Sequence, residues 1–133
     1  LLWDLDPANG SGFLLGVDPR KKRAADAVFA EGGDPLKLIQ PTAFANLDLL
    51  PADESIRTLD RRLDRLGKKR FLAKLVEGLA KHYDRVVFDC PPVLNETSQQ
   101  VIRAADVIIV PLPPSPLSAR AFETVVEEVR GQG

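Results

Sequence analysis

The chain has 133 residues, 44% hydrophobic and 28% charged, which suffices for one domain with a real core and excludes global disorder. Its 18 basic and 19 acidic residues leave a net charge of -1, so any binding to nucleic acid or an anionic membrane needs a local patch. The single cysteine, Cys90, excludes an internal disulfide and favours a reducing cytosol, and no apolar run approaches the roughly 18 residues of a membrane span, so a soluble chain is expected.

In chain order, Leu1 to Leu5 reads as a short buried strand ended by Asp6-Pro7. "ANGSGFLLGVDPRKK" reads as a loop with one apolar turn at Phe13 to Leu15, and Arg23 to Ala30 as a short helix stopped by Gly32-Gly33. "NLDLLPAD" is a second short strand closed by Pro51. Ser55 is placed to cap a helix over Ile56 to Leu66, where Ile56, Leu59, Leu63 and Leu66 share one face and Gly67 interrupts. Phe71, Leu72, Leu75, Val76 and Leu79 form the apolar stripe of another helix ending near His82.

A strand over Val86 to Asp89 follows, cut off by Pro91-Pro92, then a helix in "NETSQQVIRAAD" and a strand in "VIIVPLPP". Ser115 caps a last helix with Pro116 in its first turn, where proline is tolerated. Continuous Val/Ile/Leu runs joined by helices predict parallel strands covered on both faces, hence an α/β fold with a mostly parallel sheet flanked by helices. Ligands of such sheets gather at the carboxyl ends of the strands, and those ends carry Asp4, Asp6, Asp89 and Pro111.

A carboxylate at the tip of a buried strand is held rigidly while facing a crevice. That suits a hydrated Mg²⁺ ion, which keeps several waters and takes few protein oxygens. "VVFDCPP" has the Walker B form, three apolar residues and an aspartate that supports Mg²⁺ beside a nucleotide phosphate. An aspartate in that place also serves as an ordinary turn or helix cap, so the pattern alone leaves both readings open.

"LLWDLDPANG", "LDLLPAD", "VVFDCPP" and "AADVIIVPLPPSPLS" stand in an order and spacing that resemble the ParA/MinD-type partition ATPases, the deviant Walker A branch of the P-loop proteins, and ParA more than MinD. The resemblance implies a P-loop NTPase-like fold of the SIMIBI type. It implies that Asp4 and Asp89 serve the magnesium shell, Asp4 through water and Asp89 as the Walker B aspartate. Asp6 is implied to position or polarise the attacking water, with Pro7, Asn9, Gly10, Pro91 and Pro92 in the nucleotide and switch regions. Where many relatives carry glutamine after the Asp-Pro pair this chain has Ala8, so that role is lost or passes to Asn9.

The family's Lys-Gly-Gly-x-Gly-Lys-Thr phosphate loop does not occur between Leu1 and Gly133. Residues 1–133 are therefore expected to be the central portion of a single ParA-type ATPase domain whose first strand, phosphate loop and C-terminal elements lie outside, and to be inactive alone. For the intact protein the resemblance implies ATP and Mg²⁺ binding, an ATP-dependent homodimer, non-specific DNA binding, a ParB-like stimulator, no membrane and a cytoplasmic location. The rivals are another deviant Walker A ATPase, such as a cellulose-synthesis accessory protein, and a non-catalytic binding module without the loop. A nitrogenase-reductase-like protein would need cluster cysteines beyond Cys90.

The densest basic segment, "RRLDRLGKKR", offers Arg61, Arg62, Lys68, Lys69 and Arg70 as a DNA patch with Arg57 just before it. Asp60 and Asp64 interleave with the arginines, which favours a solvated helix face with i, i+4 pairing, and Lys21, Lys22 and Arg23 read the same way. His82 reads as a helix terminus, Cys90 as a small buried thiol and Trp3 as strand core.

Overall fold

The computed structural model describes residues 1–18 and 25–131. Its centre is β1 (Leu2–Asp4), which pairs in parallel with β3 (Asp48–Leu50) on one side and β4 (Val87–Asp89) on the other. A two-residue strand, β2 (Gln40–Pro41), adds antiparallel to β3, giving the order β2-β3-β1-β4. This strand is absent from the sequence reading because it is made by a turn: the Thr42 hydroxyl donates to Leu47 O (2.7 Å) and accepts from Phe44 N–H (3.1 Å). Its proline sits at a sheet edge, the place where a missing N–H is tolerated.

The centre of the sheet forms because one face of β1 is wholly apolar, with Leu1, Trp3 and Leu5 alternating onto it. Leu1, Trp3 and Leu5 are all buried, and the Trp3 ring lies 6.0 Å from Phe29 and 5.5 Å from Phe88, within the range of favourable aromatic packing. The helices flank this sheet. α1 (Gly10–Leu15) follows β1 directly, α2 (Leu59–Leu66) and α3 (Phe71–Leu79) lie between β3 and β4, and α4 (Glu96–Ala104) packs on both α2 and α3.

Several expectations are corrected. Residues 10–15 are a short helix and not a loop: Asn9 turns into it with φ 51°, and Gly16 closes it with φ 66°. The Gly/Ser content that argued for a loop instead lets the backbone approach Asp4 closely. Residues Ala25–Phe29 form a 3-10 turn in place of the expected helix, and the remainder of that expectation, with Lys21, Lys22 and Arg23, lies outside the described residues. The Asp53 carboxylate accepts Ala25 N–H (2.9 Å) and the Ser55 hydroxyl accepts Asp26 N–H (3.0 Å), a tether that no local pattern encodes.

Ser55 is consequently not the helix cap. Asp53 caps a 3-10 segment, Glu54–Thr58, by accepting Ser55 N–H (2.8 Å), and α2 begins only at Leu59. Ile56, Leu59 and Leu63 are buried as their spacing predicts, whereas Leu66 is 38% exposed.

The expected strand over 107–110 does not pair: Val107 and Ile109 are 77% and 85% exposed, and β4 is the last strand in the order. An extended apolar segment becomes a strand only when a neighbour supplies the ladder of hydrogen bonds. Coverage on both faces likewise holds for β1 but not for β4, where Val87 is 56% exposed. The last helix, α5 (Pro116–Gly131), forms with Ser115 accepting Ser118 N–H (3.1 Å), but none of its residues is buried. Among the described residues no helix is long and apolar enough to cross a membrane.

Gln100 locks α4 to α3. Buried at 1% exposure, it accepts Leu72 N–H through Oε1 (3.2 Å) and donates through Nε2 to Lys68 O (2.8 Å) and Glu96 Oε1 (3.0 Å). Gln100→Leu strands the Leu72 N–H at the start of α3, while Lys68 O keeps its bond from Phe71 N–H, and is expected to lower unfolding free energy by about 2 kcal/mol in urea titrations followed by circular dichroism.

The single tyrosine, Tyr83, donates to Asp48 Oδ2 (2.8 Å) and ties the approach to β4 to the first residue of β3. Burial first, then the Asp48 hydrogen bond and charge, push its phenol from 10.0 up to about 12. The stability this adds is full below pH 10, the unfolded value, and is lost as pH rises through about 12. Phenolate absorbance should therefore appear near pH 12 in the folded chain, and at a lower pH once Asp48→Asn removes the acceptor charge, with burial still holding it above the unfolded value.

Candidate functional site

The register of β1 and β4 sets Asp4 directly opposite Asp89 at the carboxyl ends of two parallel strands. Asp4 is 1% exposed, yet its oxygens are engaged: Oδ1 accepts Asp6 N–H (2.8 Å) and Oδ2 accepts Ser11 N–H (3.2 Å). Ser11 is buried as well, and its hydroxyl donates to Asp89 Oδ2. One residue at the head of α1 therefore touches both carboxylates.

Burial pushes the Asp4 carboxyl above the ordinary carboxylate range; the N–H of Asp6 pulls it back, the Asp89 charge adds to the rise, and weaker effects of Ser11 and Asp6 follow. A site with this balance favours added positive charge. Asp6 stands one turn further out, half-buried, with Oδ1 accepting Ala8 N–H (2.9 Å) and its carbonyl accepting Asn9 N–H (2.9 Å). The loop holding Pro7, Asn9 and Gly10 thus folds back beside the two strand-end acids.

The residues present fit a hydrated divalent ion. Asp4 and Asp89 offer two adjacent carboxylates, while among the described residues no group of three or more His, Cys, Asp or Glu side chains could hold a metal. Few protein oxygens and many waters is the magnesium pattern. Asn9 adds an unused acceptor: its Oδ1 is buried without a hydrogen-bond partner. The Asn9 carboxamide occupies the space a side chain at Gly12 would need, since a Cβ there would lie 2.3 Å from that oxygen.

Pro91 and Pro92 follow β4 after Cys90, and Val93 N–H closes a tight turn onto Pro91 O (2.8 Å), so this turn begins two residues beyond Asp89. Pro111 follows a segment that is not a strand here and is exposed, which removes the ground for placing it at a strand end. Cys90 points a half-buried thiol toward the core, pushed up to about 11 by burial and then by the charges of Asp89 and Asp4.

Of the basic residues, Arg61, Lys68, Lys69 and Arg70 are exposed on α2 and the turn before α3. Arg62 is committed elsewhere, paired with Asp26 Oδ2 (2.9 Å) and donating to Asp26 O (2.9 Å). Arg57 pairs with Glu54, and Asp60 accepts Thr97 N–H (3.3 Å) from α4; the expected pairing of Asp60 and Asp64 with arginines of α2 is not seen among the described residues. Sequence reasoning missed Ser11. The signal available was the run Gly10-Ser11-Gly12, small residues around one hydroxyl just after two strand-end acids.

A family model described as an AAA domain (AAA_31) matches residues 1–131. The chain belongs to this family, in its ParA-type partition ATPase branch. It is 25% identical over 114 residues to the sporulation initiation inhibitor protein Soj of Bacillus subtilis, covering 84% of this chain and 45% of Soj. To a virulence plasmid ParA family protein of Chlamydia psittaci it is 28% identical over 130 residues, covering 96% of this chain and 49% of that protein.

Among solved structures, cobyrinic acid a,c-diamide synthase from Mycobacterium smegmatis, with bound ATP analog and magnesium, superposes with a TM-score of 0.84 at 28% identity, over 98% of this chain and 54% of the other. The fold is the P-loop NTPase type with a mostly parallel sheet. The chain spans about half the length of the curated relatives it matches, 45% and 49% of the two named.

With its thiol held near 11, Cys90 is expected to resist alkylation at pH 8 in the folded chain and to react rapidly once urea unfolds it, read by mass spectrometry against time.

Proposed function

We propose that residues 1–133 are the central portion of a single ParA-type ATPase domain, whose intact form binds ATP with Mg²⁺ and hydrolyses it to partition DNA or another cargo. The observation that carries this reading is the strand-end pair, Asp4 opposite Asp89, bridged by one residue and beside a loop with an unused acceptor. The relatives of the chain, the chromosome partitioning protein ParA of Myxococcus xanthus among them, support the same direction.

In this reading Asp4 and Asp89 hold the hydrated metal, Asp4 through water. The metal, when bound, would neutralise charge developing on the phosphates. Asp6 orients the attacking water; its carboxylate stands outside the buried pair on a loop closed by Ala8 and Asn9 N–H groups, so it can face a ligand while its backbone is fixed. Pro7, Asn9, Gly10, Pro91 and Pro92 border the nucleotide and transmit its state. The remaining parts of the proposal are an ATP-dependent homodimer, a ParB-like stimulator and a cytoplasmic location. A non-specific DNA surface would use Arg61, Lys68, Lys69 and Arg70, with Arg62 contributing less because Asp26 holds it.

Asp6→Ala, made in a protein that carries this chain together with a phosphate loop, is expected to retain ATP binding and lose turnover by about 100-fold or more. Nucleotide affinity from fluorescence and phosphate release from a coupled assay separate the two. Turnover equal to that of the unaltered protein removes Asp6 from the mechanism.

A further inference from the structure

The two acids at the heart of the site face each other because strand register leaves them no choice, and like charges at such a distance repel. Something must hold them apart, and aim them, before any cation arrives. Asp4 is held by backbone N–H groups, which no side-chain change removes. Among the described residues, the one side chain hydrogen-bonded to Asp89 is Ser11, through its hydroxyl.

We propose that Ser11 is the positioning residue of the metal-binding carboxylate pair, its amide aiming Asp4 and its hydroxyl aiming Asp89. The inference rests on the proposed reading of that pair as a magnesium site. A carboxylate has about four acceptor directions, and a single hydroxyl uses one of them, leaving the others for metal-bound water while fixing the plane of the group. Ser11 is itself fixed: it is 8% exposed and sits in the first turn of α1. The loop between β1 and α1 and the end of β4 are thus joined through one side chain, so movement of the loop reaches Asp89 without passing through the sheet. Outer-shell partners that orient metal-binding carboxylates commonly matter about 10- to 100-fold in metal affinity.

Ser11→Ala deletes only the bond to Asp89, because the amide bond to Asp4 belongs to the backbone. Ser11→Thr restores a hydroxyl. The test uses Mn²⁺ alone as the probe, with bound ion counted by loss of the free Mn²⁺ electron paramagnetic resonance signal and displaced by excess Mg²⁺. Thermal melts choose a temperature at which every variant is folded.

The expected result is saturable, Mg²⁺-displaceable binding to the unaltered chain, weakened about tenfold or more in Ser11→Ala, recovered to within about threefold in Ser11→Thr, and lost in Asp89→Asn. Equal affinity of Ser11→Ala and the unaltered chain overturns the role of Ser11 while leaving the metal pair standing, as does weakening that threonine fails to restore. Absence of saturable binding in the unaltered chain, or full binding by Asp89→Asn, overturns the metal reading and this inference with it.

Discussion

The parallel pairing of β1 with β4 is the constraint on which the rest of the molecule depends. Register is discrete, so once Trp3 stands opposite Phe88, Asp4 must stand opposite Asp89. The aromatic contact supplies the reason for that register: sliding the strands would pull the Trp3 ring from its packing against Phe29 and Phe88. Apolar packing one residue back therefore enforces a juxtaposition of two acids that electrostatics alone would oppose.

Around this pair the structure spends polar groups with economy. Asp4 is satisfied by amides from its own loop, Asp6 by the next turn of chain, and Asp89 by Ser11. On the flanking side, Asp53 and Ser55 tie the 25–29 turn to the head of α2, while Gln100 and Asp60 tie α4 to α3 and α2. Each is a polar side chain that satisfies a backbone group of a neighbouring element, which fixes the orientation of elements that apolar packing would leave free to slide. A frame behind the strand ends and a small loop in front of them suits a site that positions a ligand rather than reacting with it covalently.

The apolar face beyond β4 has a different character. Val87, Val107 and Ile109 are exposed, and α5 lies without a buried residue, although each carries a pattern that sequence reading assigns to a covered sheet and helix. The pattern and the exposure agree once local propensity is separated from pairing: α5 needs only its own hydrogen bonds, while 107–110 needs those of a neighbour.

What the sequence by itself determined is the set of locally encoded features. The apolar strand ends at Asp4 and Asp89, the stripe of α3, the buried Leu59 and Leu63 of α2 and the family motifs were all legible, because each is a matter of spacing along one segment. What only the tertiary structure decided is whatever joins residues far apart in the chain. Asp53 capturing Ala25, Thr42 folding β2 back onto β3, the failure of 107–110 to pair, and above all Ser11 reaching Asp89 across 78 positions depend on distances in space that no one-dimensional pattern records. A hydroxyl or carboxylate has no preferred partner until folding brings one within about 3 Å, and that selection is made by the assembled sheet.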